Sequence, residues 1–320
     1  MMKPIHKGLL LAASMLLPTA VFAGSNTLYG DFRYSLNNID AGGGSTLSGE
    51  NNASRVGLKG STDIEEGISA FYHLQAGASI DTNGAGDAIT QRFFFAGVKG
   101  GFGKIVYGRT STPYKMAGLK LDPFYDTSAG AGLGGATYGL SGLSNGWTDN
   151  SLAYSKKMGQ LSYNGAIYMD DSAQDDHDMN IGVAFAEGSL TVGVQYLSIG
   201  DTGVVAKSTA DSSAIRLHAK YGMDQWIFGG SLESINPNAG STQSYLYLST
   251  SYTLDDKTKL AASYGKVDDV SSTADGRSIT VGAFHQVLKK TTVYALFSDV
   301  DAGAGRSTMA LGVSHKFAIK

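Results

Sequence analysis

The side chains that could do chemistry here are charged rather than nucleophilic. There is no cysteine, so no thiolate and no disulfide. The six histidines are scattered, and no pair shows metal spacing or an HExxH arrangement. No Ser-His pairing that would activate a nucleophile is legible. Five aspartates, Asp170, Asp171, Asp175, Asp176 and Asp178, crowd one stretch. They lack the glycine and terminal glutamate of an EF-hand, so a solvated loop is the preferred reading over a cation site. Arginines are the remaining candidates. Arg33 and Arg55 each stand on the polar side of an alternating run.

That alternation identifies the elements that must hold them. Leu28, Gly30, Phe32, Tyr34 and Leu36 interleave with Tyr29, Asp31, Arg33 and Ser35. Val56 and Leu58 interleave with Arg55, Gly57 and Lys59. Leu190, Val192, Val194 and Tyr196, then Ile215, Leu217, Ala219 and Tyr221, repeat the pattern. A period of two is that of strands with one apolar face. Over 91–99 and 279–288 the phase cannot be set from sequence.

Two kinds of connection take turns between the strands. Short ones, such as 157–160, 186–189, 222–225 and 255–258, are tight hairpins. Long ones, such as 37–52, 81–88, 170–178, 201–212, 236–242, 268–276 and 300–307, are rich in Gly, Asp, Asn and Ser. Short turns at one end and long loops at the other are the layout of an outer-membrane barrel. The fold class is therefore all-β, a transmembrane antiparallel β-barrel of about sixteen strands. That number encloses an aqueous channel, whereas about eight strands would be filled by side chains. Within it, an arginine facing lipid at the midplane would cost about 2–4 kcal/mol, so the in-strand arginines face water.

Residues 110–150 are the exception, about forty residues with glycine clusters and no clear strand. A loop that long is usually functional. Met116, Leu119, Leu121, Phe124 and Tyr125 favour packing against something, so the loop is expected to fold into the lumen. No helix-period stretch and no second domain is visible.

Before the barrel, Lys3, His6 and Lys7 precede a brief apolar run, Gly8 to Leu17, and then Val21-Phe22-Ala23. That is the pattern of a cleaved signal peptide, 1–23, leaving a barrel domain over 24–320. The formal net charge of −3 implies no nucleic acid partner. Nothing calls for a cofactor.

The sequence also resembles the general trimeric porins of Gram-negative bacteria. The likeness is carried by Leu28-Tyr29-Gly30, Ser54-Arg55-Val56-Gly57-Leu58-Lys59-Gly60 and Gln91-Arg92-Phe93-Phe94-Phe95-Ala96-Gly97-Val98-Lys99-Gly100. Gly101-Phe102-Gly103, Tyr107-Gly108-Arg109 and the closing Gly312-Val313-Ser314-His315-Lys316-Phe317 complete it. The resemblance implies a homotrimer in outer-membrane lipid and lipopolysaccharide, passing small hydrophilic solutes and ions. It implies a third loop, 110–150, that forms a constriction. By position, Arg55 and Arg92 match the family's wall arginines, Arg109 matches its Tyr-Gly-Arg, and Arg33 lies on the same polar wall. Asp122 and Asp126 fall where the loop's acidic partners belong. Two departures stand out. Asp31 occupies a place often basic in the family, and Ala318-Ile319-Lys320 extend past the usual terminal phenylalanine.

Arginines facing carboxylates across a narrow gap set up a transverse field that favours polar solutes. The expected function is a passive porin, not an enzyme. A substrate-selective porin for oligosaccharides or anions is the alternative, ahead of an adhesin or a barrel hydrolase.

Overall fold

A computed structural model of the chain describes residues 24–79, 88–132, 138–170, 176–271 and 274–320. The expected signal peptide lies outside the described residues, as do Asp171 and Asp175. Strand β1 spans Gly24–Asp40, and two segments pair beside it: β2 (Ser45–Asn51) and β3 (Arg55–Glu65). β2 covers one half of β1, from Asp40↔Ser45 to Tyr34↔Asn51, and β3 covers the other, from Asp31↔Arg55 to Gly24↔Thr62. They are one stave, broken at Asn52 to Ser54, where Ala53 has φ 60°.

The remaining staves follow in chain order. They are β4 (Ile68–Ala78), β5 (Ile89–Gly100), β6 (Gly103–Thr110), β7 (Thr148–Met158) and β8 (Leu161–Tyr168). Next come β9 (Asp178–Glu187), β10 (Leu190–Ser198), β11 (Ser213–Met223), β12 (Trp226–Asn236) and β13 (Gln243–Thr253). The last four are β14 (Thr258–Asp268), β15 (Gly276–Leu288), β16 (Thr291–Ala302) and β17 (Arg306–Ile319). Each pairs antiparallel with the next, and β17 pairs with β1 from Leu28↔Ile319 to Asp40↔Ser307. With β2 and β3 counted together the barrel has sixteen staves, as the alternation led one to expect. Closure leaves no unpaired edge for lipid to satisfy. Ile319 continues the register beyond Phe317.

The outward faces carry exposed Leu36, Leu47, Ile181, Leu217, Leu232, Ile279 and Leu311. Among the described residues, no helix is long and apolar enough to cross a membrane; the barrel crosses with strands. The core therefore lies on the inside. All three clusters of buried apolar residues contain residues from the segment between β6 and β7. Tyr114 and Leu143 pack with Tyr168 and Leu197; Leu121, Tyr138 and Leu140 with Tyr247; Phe124 and Ala129 with Tyr294 and Leu296. The long loop folds inward and lies against the wall.

Contrary to the expectation of no helix, that loop opens with one, α1 (Pro113–Leu119). Pro113 suits the first helical position, and the Thr112 hydroxyl accepts from the Lys115 N–H at 2.9 Å. Seven residues are too few for a 3.6 period to show. Farther along, the loop backbone lies directly on the wall. A Cβ on Gly139 (φ 90°) would sit 2.5 Å from the Gly265 Cα, and one on Gly265 would sit 2.2 Å from the Tyr138 carbonyl oxygen. Two glycines make that contact possible.

The two unreadable phases contain irregularities of register, between Leu74 and Ala76 against β5 and between Gln286 and Leu288 of β15, and the inward loop lets aromatic residues stand on their lumenal faces. On β15, Phe284 faces the lumen with its ring 5.9 Å from Phe124 of the loop. On β5, lumenal Phe93 lies 6.3 Å from Trp147. Tyr29, Tyr168 and Tyr294 face inward as well. Tyr29 contacts His73 at 2.7 Å, and Tyr168 and Tyr294 belong to the interior clusters.

Candidate functional site

Strand geometry alone brings three charged groups together. Asp31 and Arg33 are two apart on β1 and so share a face. Arg55 is the cross-strand partner of Asp31. Arg33 grips Asp31 with two bonds, Nε to Oδ1 at 2.9 Å and Nη2 to Oδ2 at 2.8 Å. Arg55 Nη2 donates to the same Asp31 Oδ2 at 3.0 Å. Charge-assisted forks of this kind hold both side chains in one geometry.

The loop supplies the fourth group. Asp126 accepts from Arg55 Nη2 at 2.6 Å and lies 3.6 Å from Arg33 Nη1. Its backbone has φ 62°, a left-handed conformation that aspartate tolerates better than most residues. The cluster is two arginines and two carboxylates, formally neutral. Asp31, the departure noted in the sequence, is what balances it.

Beside this cluster is a second, unbalanced one. Arg92 donates Nε to Gln75 at 2.7 Å and lies 4.2 Å from the centre of the Trp147 ring. Lys115 of α1 lies 4.3 Å from that ring and donates to the Gly146 carbonyl at 2.6 Å. Trp147 thus holds two cations by its π-face. Among the described residues, no carboxylate is within ion-pair distance of either one. Burial, and next the charge of Arg92, push the Lys115 ammonium down to about 7.

The other sequence candidates go elsewhere. Asp122 is buried and spends itself on folding the loop. It accepts from the Tyr247 hydroxyl at 2.7 Å and from the backbone N–H groups of Phe124 and Ala131 at 2.8 and 2.7 Å. Arg109 is not brought to the cluster. It stands opposite Phe94, on the outward side of β6 with Tyr107, and pairs with exposed Asp149. Asp178, from the acidic stretch, accepts from the N–H groups of Gly200 and Val205 at 2.7 and 2.6 Å.

Sequence reasoning missed the groups that anchor the loop. Arg216 and Glu233 are cross-strand partners on β11 and β12, fully buried, with Nη2 to Oε2 at 2.8 Å. Arg216 also donates to the Tyr114 carbonyl and the Ser144 hydroxyl, each at 2.7 Å. Glu233 accepts from the Tyr114 hydroxyl at 2.9 Å and the Ser141 N–H at 3.1 Å. Opposite charges on the polar faces of neighbouring strands were the available signal. Lys115 and Trp147 carried none, because nothing local says they will meet Arg92.

A sixteen-stave barrel with a long loop packed inside and ion-paired to the wall is the architecture of a membrane pore. The chain matches the family described as Gram-negative porin over residues 10–305, and it belongs to that family. That membership places it in the outer membrane. It is 31% identical over 123 residues to the "Major outer membrane protein P.IB" of Neisseria meningitidis serogroup A / serotype 4A, 36% of each chain. The match thus spans little over a third of that relative's length. In fold it is similar to the "Anion-selective porin from Comamonas acidovorans", with TM-score 0.77, 21% identity, and 92% of this chain and 100% of that one covered. It is also similar to the trimer form of OmpT from Vibrio cholerae, with TM-score 0.69, 16% identity, and 92% and 99% covered.

Proposed function

We propose that the protein is a water-filled channel for passive diffusion of small hydrophilic solutes and ions, narrowed by the loop 110–150. One observation carries this reading. The loop enters the lumen, and its Asp126 is tied to Arg33 and Arg55 on the wall. A gap flanked by such groups lets a polar solute exchange part of its hydration for fixed charges. The gap set is Arg33, Arg55, Arg92 and Asp126, joined by Asp31 and Lys115. Asp122 shapes the loop, and Arg109 acts on the outer surface. Three barrels associate in lipid and lipopolysaccharide, in keeping with the trimer form of the Vibrio cholerae neighbour, after export by a cleaved signal peptide.

A preference for anions is favoured by the charge balance. Asp31 and Asp126 are consumed by Arg33 and Arg55, which leaves Arg92 and Lys115 uncompensated. The Comamonas acidovorans neighbour, an anion-selective porin, agrees with that sign. The test is conductance of the purified protein in planar bilayers. Stepwise currents in groups of three and a reversal potential of anionic sign in a salt gradient are expected. Absence of any conductance from folded protein rejects the channel, and a cationic reversal potential rejects the preference.

A further inference from the structure

On the side of the ion-pair cluster that faces the short turns, the lumen holds a pocket of about 330 Å³. Its lining includes Arg33 of the cluster and three lysines: Lys257 at the turn before β14, Lys259 on β14 and Lys316 on β17. Tyr125 of the loop and Phe284 of β15 add aromatic surface. Asp126 borders the pocket, but its carboxylate is already held by Arg33 and Arg55. Among the described residues, none of the three lysines has a carboxylate in ion-pair distance.

The two kinds of surface meet. The Lys259 ammonium lies 4.8 Å from the centre of the Phe284 ring, which is only half-buried. Lys316 stands across from Asp31 in the β1–β17 register, but that carboxylate is gripped by Arg33 and Arg55, so a solute here is offered ammonium groups outside any close ion pair and a flat apolar surface within one side-chain length. Chloride or acetate uses only the charge. A neutral sugar leaves the lysines unpaired. A planar ring bearing a carboxylate uses both, by pairing with ammonium and by stacking against the aromatic side chains. The volume is at the small end of the range of about 300–1,000 Å³ for small-molecule sites, which suits a single-ring acid.

We propose that this pocket is a subsite for a small aromatic carboxylate, on the periplasmic side of the constriction. The proposal rests on the channel reading above and gives that channel a preferred class of solute. The lysines draw the carboxylate, and Phe284 and Tyr125 retain the ring long enough to raise its local concentration beside the gap.

The experiment uses the full-length protein in planar bilayers carrying a potassium chloride current, with benzoate, acetate and benzyl alcohol as probes. Benzoate is expected to depress the chloride current at concentrations several-fold lower than acetate, and benzyl alcohol to leave it unchanged. Lys259→Gln with Lys316→Gln is expected to raise the half-blocking concentration of benzoate several-fold. Phe284→Leu is expected to bring benzoate down to the level of acetate. Equal block by benzoate and acetate in the unaltered protein overturns the subsite, whatever the variants do. A folded protein with no current overturns the channel reading instead. Benzoate titration by calorimetry then still decides the subsite, with binding tighter than acetate supporting it and equal binding overturning it.

Discussion

Arg92→Gln isolates one charge of the gap. The guanidinium has no carboxylate partner among the described residues; it touches Gln75 and the Trp147 ring. Its removal deletes one positive charge and strands no buried anion. Glutamine can still bond to Gln75. A unit charge about 6 Å from a passing ion contributes about 0.7 kcal/mol in water, and about 0.4 kcal/mol after screening at about 0.1 M salt. Anion and cation feel opposite signs, so the permeability ratio moves by about 0.8 kcal/mol, or about four-fold. A gap of lower dielectric than water enlarges the effect, which makes about four-fold a lower bound. Reversal potentials in a salt gradient, measured on protein that retains the compact mobility of a folded barrel in unheated gels, read this directly. The expected outcome is a shift toward cations. An unchanged reversal potential with folded protein refutes the placement of Arg92 at the gap.

The same logic gives three further expectations. Asp31→Asn removes the carboxylate that Arg33 and Arg55 share, so anion preference rises by a comparable factor in the same assay. Because Lys115 is pushed down to about 7 by burial and by Arg92, it is charged below that pH and neutral above it. Anion preference therefore falls as pH rises through about 7, and Lys115→Met abolishes the step. Arg216→Met leaves Glu233 buried without its cation, at a cost of about 3–5 kcal/mol. Lower melting temperature and noisier single-channel current are expected as α1 loosens, and Arg216→Met with Glu233→Leu recovers most of the stability.

Legibility followed distance along the chain. Arg33 and Asp31 were readable as a pair sharing one face because two-residue spacing on a strand is local geometry. The stave count and the closure of β17 on β1 were readable because alternation and turn rhythm repeat sixteen times. Arg92 could be placed only by resemblance, since a register shift against β4 puts adjacent Arg92 and Phe93 on one face and breaks the alternation. The aromatic residues there have a tertiary reason. Once the loop fills part of the lumen, positions that would face water face protein, and aromatic residues become acceptable there. Helix α1 escaped notice for a related reason, since its seven residues are held by contacts to β8, β9, β10 and β11 rather than by a long periodic pattern.

The amino-acid sequence by itself determined a closed barrel with a wet inside, because every strand must put one face to lipid and the other to water. It also announced a loop too long and too apolar to stay outside. Only the tertiary structure decided which charges the pore presents. It neutralised Asp126 and Asp31 against Arg33 and Arg55, turned Arg109 outward, spent Asp122 on the loop, and set Lys115 beside Arg92 on one tryptophan ring. Those pairings join residues from 31 to 247, whose distances in space are set by how the loop lies on the wall and not by their spacing in the chain.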